Sequence, residues 1–522
     1  MRRNLKRAAV ASAVVPILVF GVIAMGQTQE AGARLFQQVL SRVSHDAIDT
    51  LGSQELYEKA ARGLVSQLGD PYADLYSPEQ LARFSRQTIG NEYGGVGMQI
   101  EDQQGAITVM RVFPNTPARA AGVQAGDRIV GVDGQSTRDW KIEEVSNALL
   151  GTPGTKVSAT FARMGVQQPI HVEFTRARVH VPAVPYALLL SDSVGYIPLQ
   201  RFNDVAADEV EQAMNRLAQQ GAHAFVLDLR GNPGGSLDQA IDIADLFVPK
   251  GKEIASVRYR SQPEDVFWAR RNPLMPGVPT IVLADGYTAS ASEILAGALQ
   301  DHDQALVVGT NTFGKGVVQN LFPLDDGWAL KLTTGKWYTP VGRCIQRETL
   351  GNGVRGADQD TTGPRPIYHS DSGRIIYGGG GITPDVVVQP DTLTTPEQKL
   401  MRELSPHSQQ TYVSLYKLAL SVKDSVGPGF QVKPEWRSRY FHDLKAAGVD
   451  VDSSTYVAAA PMVNRWLVQR VASLAFGDST AFRREITDDA QLEAALDLLR
   501  SGHSMHELFA LAEQRRGSQG PS

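Results

Sequence analysis

One stretch near the middle of the chain, residues 278–321, constrains the fold more than any other. It opens with an apolar run, residues 278–284, that ends in Asp285-Gly286, which is typical of a buried strand followed by a turn. Small residues come next, and the amphipathic run 293–299 predicts a helix. Ser290 therefore lies where a strand passes into a helix. Unpaired backbone N–H groups and the positive end of the helix dipole meet there, and both favour a developing oxyanion.

A lysine flanked by glycines follows in the same stretch. Lys315 stands between Gly314 and Gly316, after a second apolar strand predicted at residues 305–308. A serine hydroxyl needs a base to become a nucleophile, and a lysine can be that base when burial lowers its pKa toward neutrality. The glycines would let the backbone approach the serine strand, and apolar neighbours would keep the pocket dry. The pattern indicates a serine–lysine dyad of Ser290 and Lys315.

Other interpretations of these residues stay open at this point. Ser290 fits a plain helix N-cap, and a lysine between glycines fits an exposed turn. Residues 309–315 also match the start of a phosphate-binding loop. That motif requires Ser or Thr next and then a helix, whereas Gly316 follows here and residues 317–318 favour a strand.

Four motifs together carry a resemblance to a known family. They are residues 228–235 (DLRGNPGG), 288–294 (TASASEI), 298–301 (ALQD) and 312–319 (TFGKGVVQ). In this order and spacing they resemble the carboxy-terminal processing peptidases, also called tail-specific proteases. Thr288 replaces the serine that is usual at its position, which leaves the dyad untouched.

The resemblance implies roles for individual residues. It makes Ser290 the nucleophile, Lys315 the general base and Gln319 the residue that orients the lysine. The oxyanion hole that it implies uses backbone N–H groups of Gly234, Gly235 and Ala291. Three further residues match positions that support the site in the family: Asp301, Glu293 and Thr312.

Residues 85–182 resemble a PDZ domain. A strand at 109–112 and a helix at 141–150 follow a glycine-rich segment. PDZ domains add an extended peptide to a sheet edge while a glycine-rich loop holds its terminal carboxylate. The resemblance assigns that loop to Gly95, Val96, Gly97 and Met98. The predicted pocket for an apolar last side chain, whose members equally suit a plain core, consists of Met98, Ile100, Val145 and Leu149.

The chain divides into five predicted segments. They are a signal peptide or signal-anchor (1–30), a helical region (31–84), the PDZ domain (85–182), a serine peptidase core (183–390) and a helical domain (391–522). Strands that alternate with helices in the core predict an α/β fold with a parallel sheet. The resemblance identifies this core as crotonase/ClpP-like, with the PDZ domain inserted or preceding. A Gly- and Asp-rich insertion between Arg347 and Gly381 predicts a surface hairpin or a disordered loop.

Composition excludes several classes of function. The 522 residues are too many for one hydrophobic core. A net charge of −5 argues against a nucleic-acid partner. The single cysteine, Cys344, excludes an internal disulfide framework and a cysteine-built metal site. His503 and His506 are spaced as a helical pair but lack a complete ligand set, so we expect no metal and no cofactor.

The amino terminus predicts export. Four basic residues, Arg2, Arg3, Lys6 and Arg7, precede an uncharged stretch at 8–26. A basic start and an apolar run are typical of a secretory signal or a signal-anchor, with the positive charge on the cytoplasmic side. The rest of the chain is then extracytoplasmic, in the periplasm, either secreted or attached to the inner membrane.

The resulting hypothesis is an exported serine endopeptidase that recognises an apolar, free carboxy terminus of a protein or peptide through its PDZ domain. The alternative is a catalytically silent PDZ scaffold, a receptor for peptide tails. A crotonase-type acyl-CoA enzyme is disfavoured because those enzymes lack an exported, PDZ-bearing layout. Homo-oligomerisation is left open.

Overall fold

The computed structural model describes residues 31–88, 92–103, 105–113, 115–163, 166–260, 262–347, 365–486 and 489–519. The predicted signal segment, 1–30, lies outside the described residues, as does the first part of the insertion, 348–364. No helix within the described ranges has both the length and the apolar character needed to cross a bilayer.

Helices predominate toward both ends of the described chain, and strands predominate in its middle. The helices are α1 (31–46), α2 (Ser53–Ser66), α3 (Pro78–Thr88), α4 (Pro117–Ala120), α5 (Ile142–Leu149), α6 (Ala206–Gln219), α7 (Leu237–Ala244), α8 (Ala291–Asp301), α9 (Thr395–Leu404), α10 (Ser408–Val422), α11 (Pro434–Ala446), α12 (Ser453–Ala458), α13 (Ala460–Phe476), α14 (Asp478–Glu485), α15 (Ala490–Ser501) and α16 (Met505–Gln519). The strands are β1 (Asp74–Tyr76), β2 (Glu92–Gly95), β3 (Met98–Asp102), β4 (Ile107–Val112), β5 (Arg128–Val132), β6 (Gln135–Ser136), β7 (Lys156–Ala162), β8 (Ile170–Thr175), β9 (Ala177–His180), β10 (Leu188–Leu189), β11 (Val194–Pro198), β12 (Ala224–Asp228), β13 (Glu253–Tyr259), β14 (Asp265–Trp268), β15 (Thr280–Ala284), β16 (Leu306–Gly309), β17 (Val317–Pro323), β18 (Ala329–Tyr338), β19 (Ile367–His369), β20 (Ile375–Tyr377) and β21 (Val386–Val387).

The chain forms two compact units. Of the described residues, the first unit comprises 31–81 and Gln319–Thr333, and the second comprises those within 82–318 and 334–519. In the first unit, β1 pairs antiparallel with the start of β18, so that Leu75 lies opposite Leu330. Arg62 on α2 donates a hydrogen bond to the Leu75 carbonyl at 2.9 Å. The helical region predicted at 31–84 thus also contributes one short strand.

The second unit contains a small antiparallel domain at residues 92–180. Its sheet has the order β3-β4-β5-β7-β8, with β6 beside β5, while β2 pairs separately with β9. Helix α5 packs its buried residues Val145 and Leu149 into a core that includes Val109 and Phe161. The strand predicted at 109–112 lies within β4, and the helix predicted at 141–150 is α5.

The centre of the second unit is a six-stranded sheet of order β10-β11-β12-β15-β16-β21. All neighbouring strands are parallel except β10. Helices α6, α7 and α8 lie in the connections between the parallel strands, as in βαβ units. Phe225 and Leu227 of β12 face the core formed with these helices, whereas Val226 faces the opposite side. This architecture confirms the predicted α/β fold class.

The opposite face of the sheet is covered by the end of the chain. Leu492 and Leu496 of α15 and Leu508 of α16 share one core cluster with Ile281 and Leu283 of β15. Helices α9 to α13 instead build a core of their own. The last two helices are therefore a layer of the central sheet, a role that their apolar periodicity alone did not indicate.

Three loops leave the carboxyl ends of adjacent parallel strands. They follow β12, β15 and β16, and contain the glycine turn 231–235, Ser290 and Lys315, respectively. The carboxyl ends of parallel strands lie at one edge of a sheet, which is where sites form in open α/β folds.

Candidate active site

Ser290 lies at a strained turn between β15 and α8. It is the N-cap of α8, with φ +57° and ψ −117°. Such a backbone conformation is uncommon for a residue with a side chain and persists only where the surroundings enforce it. Every residue of α8 is buried, whereas Ser290 itself is half-buried. The strained turn thus places Ser290 at the helix N-terminus, at the boundary of the core.

Glu293, in the first turn of α8, ties the serine loop to the lysine loop. Its buried carboxylate accepts hydrogen bonds at Oε2 from the backbone N–H of Ser290 at 2.8 Å and of Lys315 at 2.9 Å. Its Oε1 accepts from Thr312 Oγ1 at 2.5 Å and from the Gly314 N–H at 2.7 Å. One oxygen atom is therefore shared by the backbones of the predicted nucleophile and base.

Burial raises the pKa of Glu293, and the hydrogen bonds to its carboxylate oppose that shift. The four donors to its oxygens are a threonine hydroxyl and three backbone N–H groups, all of them neutral. In this arrangement all four groups donate, which matches an ionised carboxylate, because that form is an acceptor only.

The lysine loop is anchored on a second segment of the core. Thr312 Oγ1 accepts the Ile382 N–H at 2.7 Å, and the Thr312 N–H donates to the Ile382 carbonyl at 3.1 Å. A Cβ added to Gly316 would lie 2.5 Å from the Gln346 nitrogen. The glycines beside Lys315 therefore admit residues 346–347, while the same loop contacts the serine turn through the Phe313 N–H, which donates to the Thr288 carbonyl at 3.0 Å. Lys315 is half-buried, and its carbonyl accepts from Trp337 Nε1 at 3.0 Å.

The glycine turn lies directly against the serine turn. Gly234 has φ +96°, and a Cβ added there would lie 2.7 Å from the Ala289 carbonyl oxygen and 2.9 Å from the Ala291 nitrogen. Gly235, at φ +151°, has no room for a side chain beside the Phe202 carbonyl. The three residues of the predicted oxyanion hole thus belong to adjoining turns. The Gly234 N–H donates to Asn232 Oδ1 at 2.9 Å, so it is engaged in this structure.

Asn232 is a positioning residue that the sequence reasoning missed. Its side chain is fully buried and donates from Nδ2 to the Leu199 carbonyl at 2.6 Å. Its backbone carbonyl accepts from the Ala289 N–H and from Ser292 Oγ, each at 3.0 Å. Asn232 therefore connects the glycine turn with both sides of Ser290. An asparagine between a glycine and a proline after a buried strand was the only signal that the sequence offered.

Thr288 shows why its replacement of serine is harmless to the turn. Thr288 Oγ1 donates to the Leu229 carbonyl at 2.9 Å and accepts the Asp285 N–H, also at 2.9 Å. A serine hydroxyl could make both bonds. Asp285 in turn accepts the Gly231 N–H at 3.0 Å, which gives a further link between the two turns.

Asp301 lies at the other end of α8, away from Ser290. The two residues are eleven positions apart along the helix, which corresponds to about 16 Å. Asp301 forms a fully buried ion pair with Arg343 and accepts the Val341 N–H at 3.1 Å. Burial raises the pKa of Asp301, and the positive charge of Arg343 opposes this shift. Glu293 and Thr312 are thus adjacent to the loops of the predicted dyad, whereas Asp301 lies at the opposite end of the helix.

The remaining predicted residues lie elsewhere. Gln319 is on β17, within the first compact unit. Val96, Gly97 and Met98 line a cavity of about 580 Å³ together with Ile100, Leu149 and other residues. Gly95 instead pairs with Ala177 in the β2–β9 ribbon, and Val145 lies in the core of the small domain. Among the described residues no group of three or more His, Cys, Asp or Glu side chains could hold a metal ion.

Comparison with known proteins places this chain in a family. The family model for peptidase family S41 matches residues 193–356, and a PDZ domain model matches residues 108–163. The carboxy-terminal-processing protease of Bartonella bacilliformis is 37% identical over 316 residues, which cover 60% of this chain and 72% of that protein. The carboxy-terminal processing protease CtpA of Bacillus subtilis is 33% identical over 67% of this chain and 77% of that protein.

A solved structure of a photosystem II D1 C-terminal processing protease is 28% identical to this chain. It matches with a TM-score of 0.37 over 70% of this chain and 89% of that chain. The identity and coverage of the sequence relatives are sufficient to assign the family without it. The chain is a serine peptidase that belongs to the carboxy-terminal-processing proteases of peptidase family S41.

Proposed function

We propose that this peptidase is an exported endopeptidase that uses Ser290 as nucleophile and Lys315 as general base, and that it selects proteins by an apolar carboxy-terminal tail. The observation that carries the catalytic part is the shared Glu293 oxygen, which accepts from the backbone N–H groups of both residues. A base and a nucleophile must keep a fixed separation for proton transfer. A buried acceptor common to both backbones supplies that constraint.

The proposed reaction is acyl transfer. Neutral Lys315 takes the proton of Ser290 Oγ as that oxygen attacks the scissile carbonyl, and the lysinium then protonates the leaving amine. Lys315 next activates the water that hydrolyses the acyl-enzyme. We assign Gln319 the role of orienting the lysine, on the strength of the family resemblance.

The proposed oxyanion hole combines the glycine turn with the first N–H of α8. The N–H groups of Gly235 and Ala291 are assigned to the oxyanion, where a helix N-terminus adds a favourable field. Gly234 contributes its N–H when that group leaves Asn232 Oδ1, its partner in this structure. The tight approach of Gly234 to Ala289 and Ala291 supports this assignment.

Tail recognition is assigned to the cavity of the PDZ domain. The cavity is lined by Val96 and Gly97 of the glycine-rich loop and by the apolar side chains Met98, Ile100 and Leu149. A loop of backbone N–H groups beside an apolar pocket suits a free carboxylate that follows an apolar side chain. Protein or peptide substrates with free carboxy termini are therefore the proposed partners.

The catalytic proposal is tested with Ser290→Ala, Lys315→Ala and Lys315→Arg in the full chain. The substrate is an unstructured polypeptide that ends in alanine or valine with a free carboxylate. The kcat of each variant should fall about a thousandfold or more, because each substitution removes one member of the proposed dyad. A serine-directed acylating probe should label the unsubstituted protein, label Lys315→Ala slowly and leave Ser290→Ala unlabelled. Near-normal cleavage by Lys315→Ala would assign the base to another residue.

Export is tested separately, by fusing a reporter that is active only outside the cytoplasm after residue 30 of the chain. Activity of the fusion, lost when Arg2, Arg3, Lys6 and Arg7 are replaced together, is the expected result. Equal activity without residues 1–30 would contradict an export signal in that segment.

A further inference from the structure

Arg201 brings a charge from the peptidase core to the cavity of the PDZ domain. It follows β11 in the sheet domain, yet its side chain lines the cavity of about 580 Å³ that Val96, Gly97 and Met98 also line. Its Nε is buried and has no hydrogen-bond partner among the described residues. A buried donor of a charged group that is left unpaired costs free energy, which a ligand with a matching acceptor would recover.

The other charges at this cavity are few. Arg83 and Glu143 also line it, and both are exposed to solvent. The remaining wall is mainly apolar, with Met98, Ile100 and Leu149 among its members. Arg201 is half-buried, and a guanidinium at the side of an apolar groove favours a planar anion, because its N–H groups match the two oxygens of a carboxylate.

We infer that Arg201 binds the terminal carboxylate of the peptide tail, so that the recognition site is completed by a residue of the peptidase core. This inference rests on the proposed tail recognition and identifies one residue that binds the tail. An acidic side chain near the end of the tail offers the same chemistry, and the test separates the two sources.

The backbone around Arg201 makes a side-chain substitution informative. The Gln200 N–H donates to the Ala183 carbonyl at 2.9 Å, and the Phe202 N–H donates to the Gly234 carbonyl at 3.3 Å. The Ser236 N–H donates to the Phe202 carbonyl at 2.8 Å. Both neighbours are therefore held by backbone contacts, so that Arg201→Gln removes the guanidinium without removing the strand pairing.

The experiment compares Arg201→Gln with Arg128→Gln in the full chain. Arg128 is an exposed residue of β5 that does not line the cavity, and is the matched control. Cleavage is measured on three tails: a free carboxylate after an apolar residue, the same tail amidated, and an amidated tail with a penultimate glutamate. Binding of the same fluorescent tails is measured on Ser290→Ala and on Ser290→Ala/Arg201→Gln.

The unsubstituted protein and Arg128→Gln should cleave the amidated tail at least tenfold less efficiently than the free one. Arg201→Gln should raise KM for the free tail by about ten- to a hundredfold, with kcat changed less than threefold. In Arg201→Gln, amidation of the tail should lower the cleavage efficiency by less than threefold. The tail affinities measured in the Ser290→Ala background should follow the same pattern. Thermal unfolding of Arg201→Gln should match that of Arg128→Gln.

Three results would overturn the inference, and they are distinguishable. An undiminished amidation penalty in Arg201→Gln excludes Arg201 while tail recognition stands. No amidation penalty in the unsubstituted protein removes tail recognition itself, together with this role of Arg201. An effect of Arg201→Gln confined to the glutamate tail assigns the guanidinium to an acidic side chain and not to the terminus.

Discussion

The two ends of helix α8 each carry a buried carboxylate, and they satisfy it in opposite ways. At the N-terminal end, Glu293 is surrounded by a threonine hydroxyl and three backbone N–H groups. At the C-terminal end, Asp301 is paired with the fully buried guanidinium of Arg343. Neutral donors fix backbone positions, whereas a buried ion pair makes each charge dependent on the other.

This difference suggests a division of roles along one helix. At one end, the Glu293 carboxylate holds the loops of Ser290 and Lys315 at a fixed separation, so removal of that carboxylate should lower kcat. At the other end, Asp301 joins α8 to Arg343, so removal of the Asp301 carboxylate should lower the free energy of unfolding. The substitutions that follow test this division at each end.

The largest effect is expected for Asp301→Asn. Removal of the carboxylate leaves the Arg343 charge buried without its partner, which should lower the free energy of unfolding by about 3–5 kcal/mol. Replacement of both partners, in Asp301→Asn/Arg343→Met, should recover part of that loss, because no charge is then buried unpaired. Thermal and denaturant unfolding measure the change. If unfolding is unaffected while kcat vanishes, Asp301 belongs functionally with the catalytic end of the helix.

Glu293→Gln should lower kcat. The amide keeps one acceptor oxygen, and its NH₂ group would face two donors that now bind one carboxylate oxygen. We expect kcat to fall about a hundredfold, which corresponds to about 2.7 kcal/mol, with KM changed much less. Steady-state kinetics on the free-tail substrate measure it, and Glu435→Gln, at an exposed position in the first turn of α11, is the surface control for the same exchange. A normal kcat would show that the loops keep their register without the carboxylate.

Gly234→Ala should reduce kcat by about tenfold, because its Cβ would press on the Ala289 carbonyl and the Ala291 nitrogen. Gly231→Ala is the matched control in the same loop. Gly231 also has a positive φ, +69°, but a Cβ there meets no atom within 4 Å. Gly231→Ala should therefore lower the free energy of unfolding by only about 1 kcal/mol, through backbone strain. Equal losses of kcat in the two variants would attribute the effect to strain and not to the contact with the serine turn.

The smallest effect is expected for Thr288→Ser. The hydroxyl can keep its bonds to Leu229 and Asp285, and only a buried methyl group is lost. Stability should fall by about 1 kcal/mol, with kcat within twofold of the unsubstituted protein. A tenfold change in kcat would mean that the methyl group, and not the hydroxyl network, sets the position of Ser290.

The elements of the sheet were predictable because their signals are local. The apolar run at 278–284 and the helical period at 293–299 lie within β15 and α8, apart from one or two residues at their ends. Long-range partners carry no such signal. The contact between Glu293 and Gly314 joins residues 21 positions apart, and that between Asp301 and Arg343 joins residues 42 positions apart.

The site shows the same limit. The glycines at 314 and 316 predicted that another segment of the chain lies close to this backbone. The sequence could not identify that segment as residues 346–347. Asn232 looked like part of a turn motif, and its hydrogen bonds to Leu199 and Ala289 depend on how the strands are ordered in the sheet. The assignments of Ser290, Lys315 and Gln319 to catalysis stay predictions that the proposed experiments test.

The cover that α15 and α16 give the sheet has a consequence for synthesis. Strand β16 leaves the ribosome about 200 residues before these helices, which at typical elongation rates is a delay of roughly 10 to 40 seconds. During that time Val226, Ile281 and Leu283 lack the side chains that enclose them in the finished protein. A nascent chain therefore carries Ser290, the proposed nucleophile, on an incomplete scaffold, and hydrolytic competence should arise only after translation of the last helix is finished.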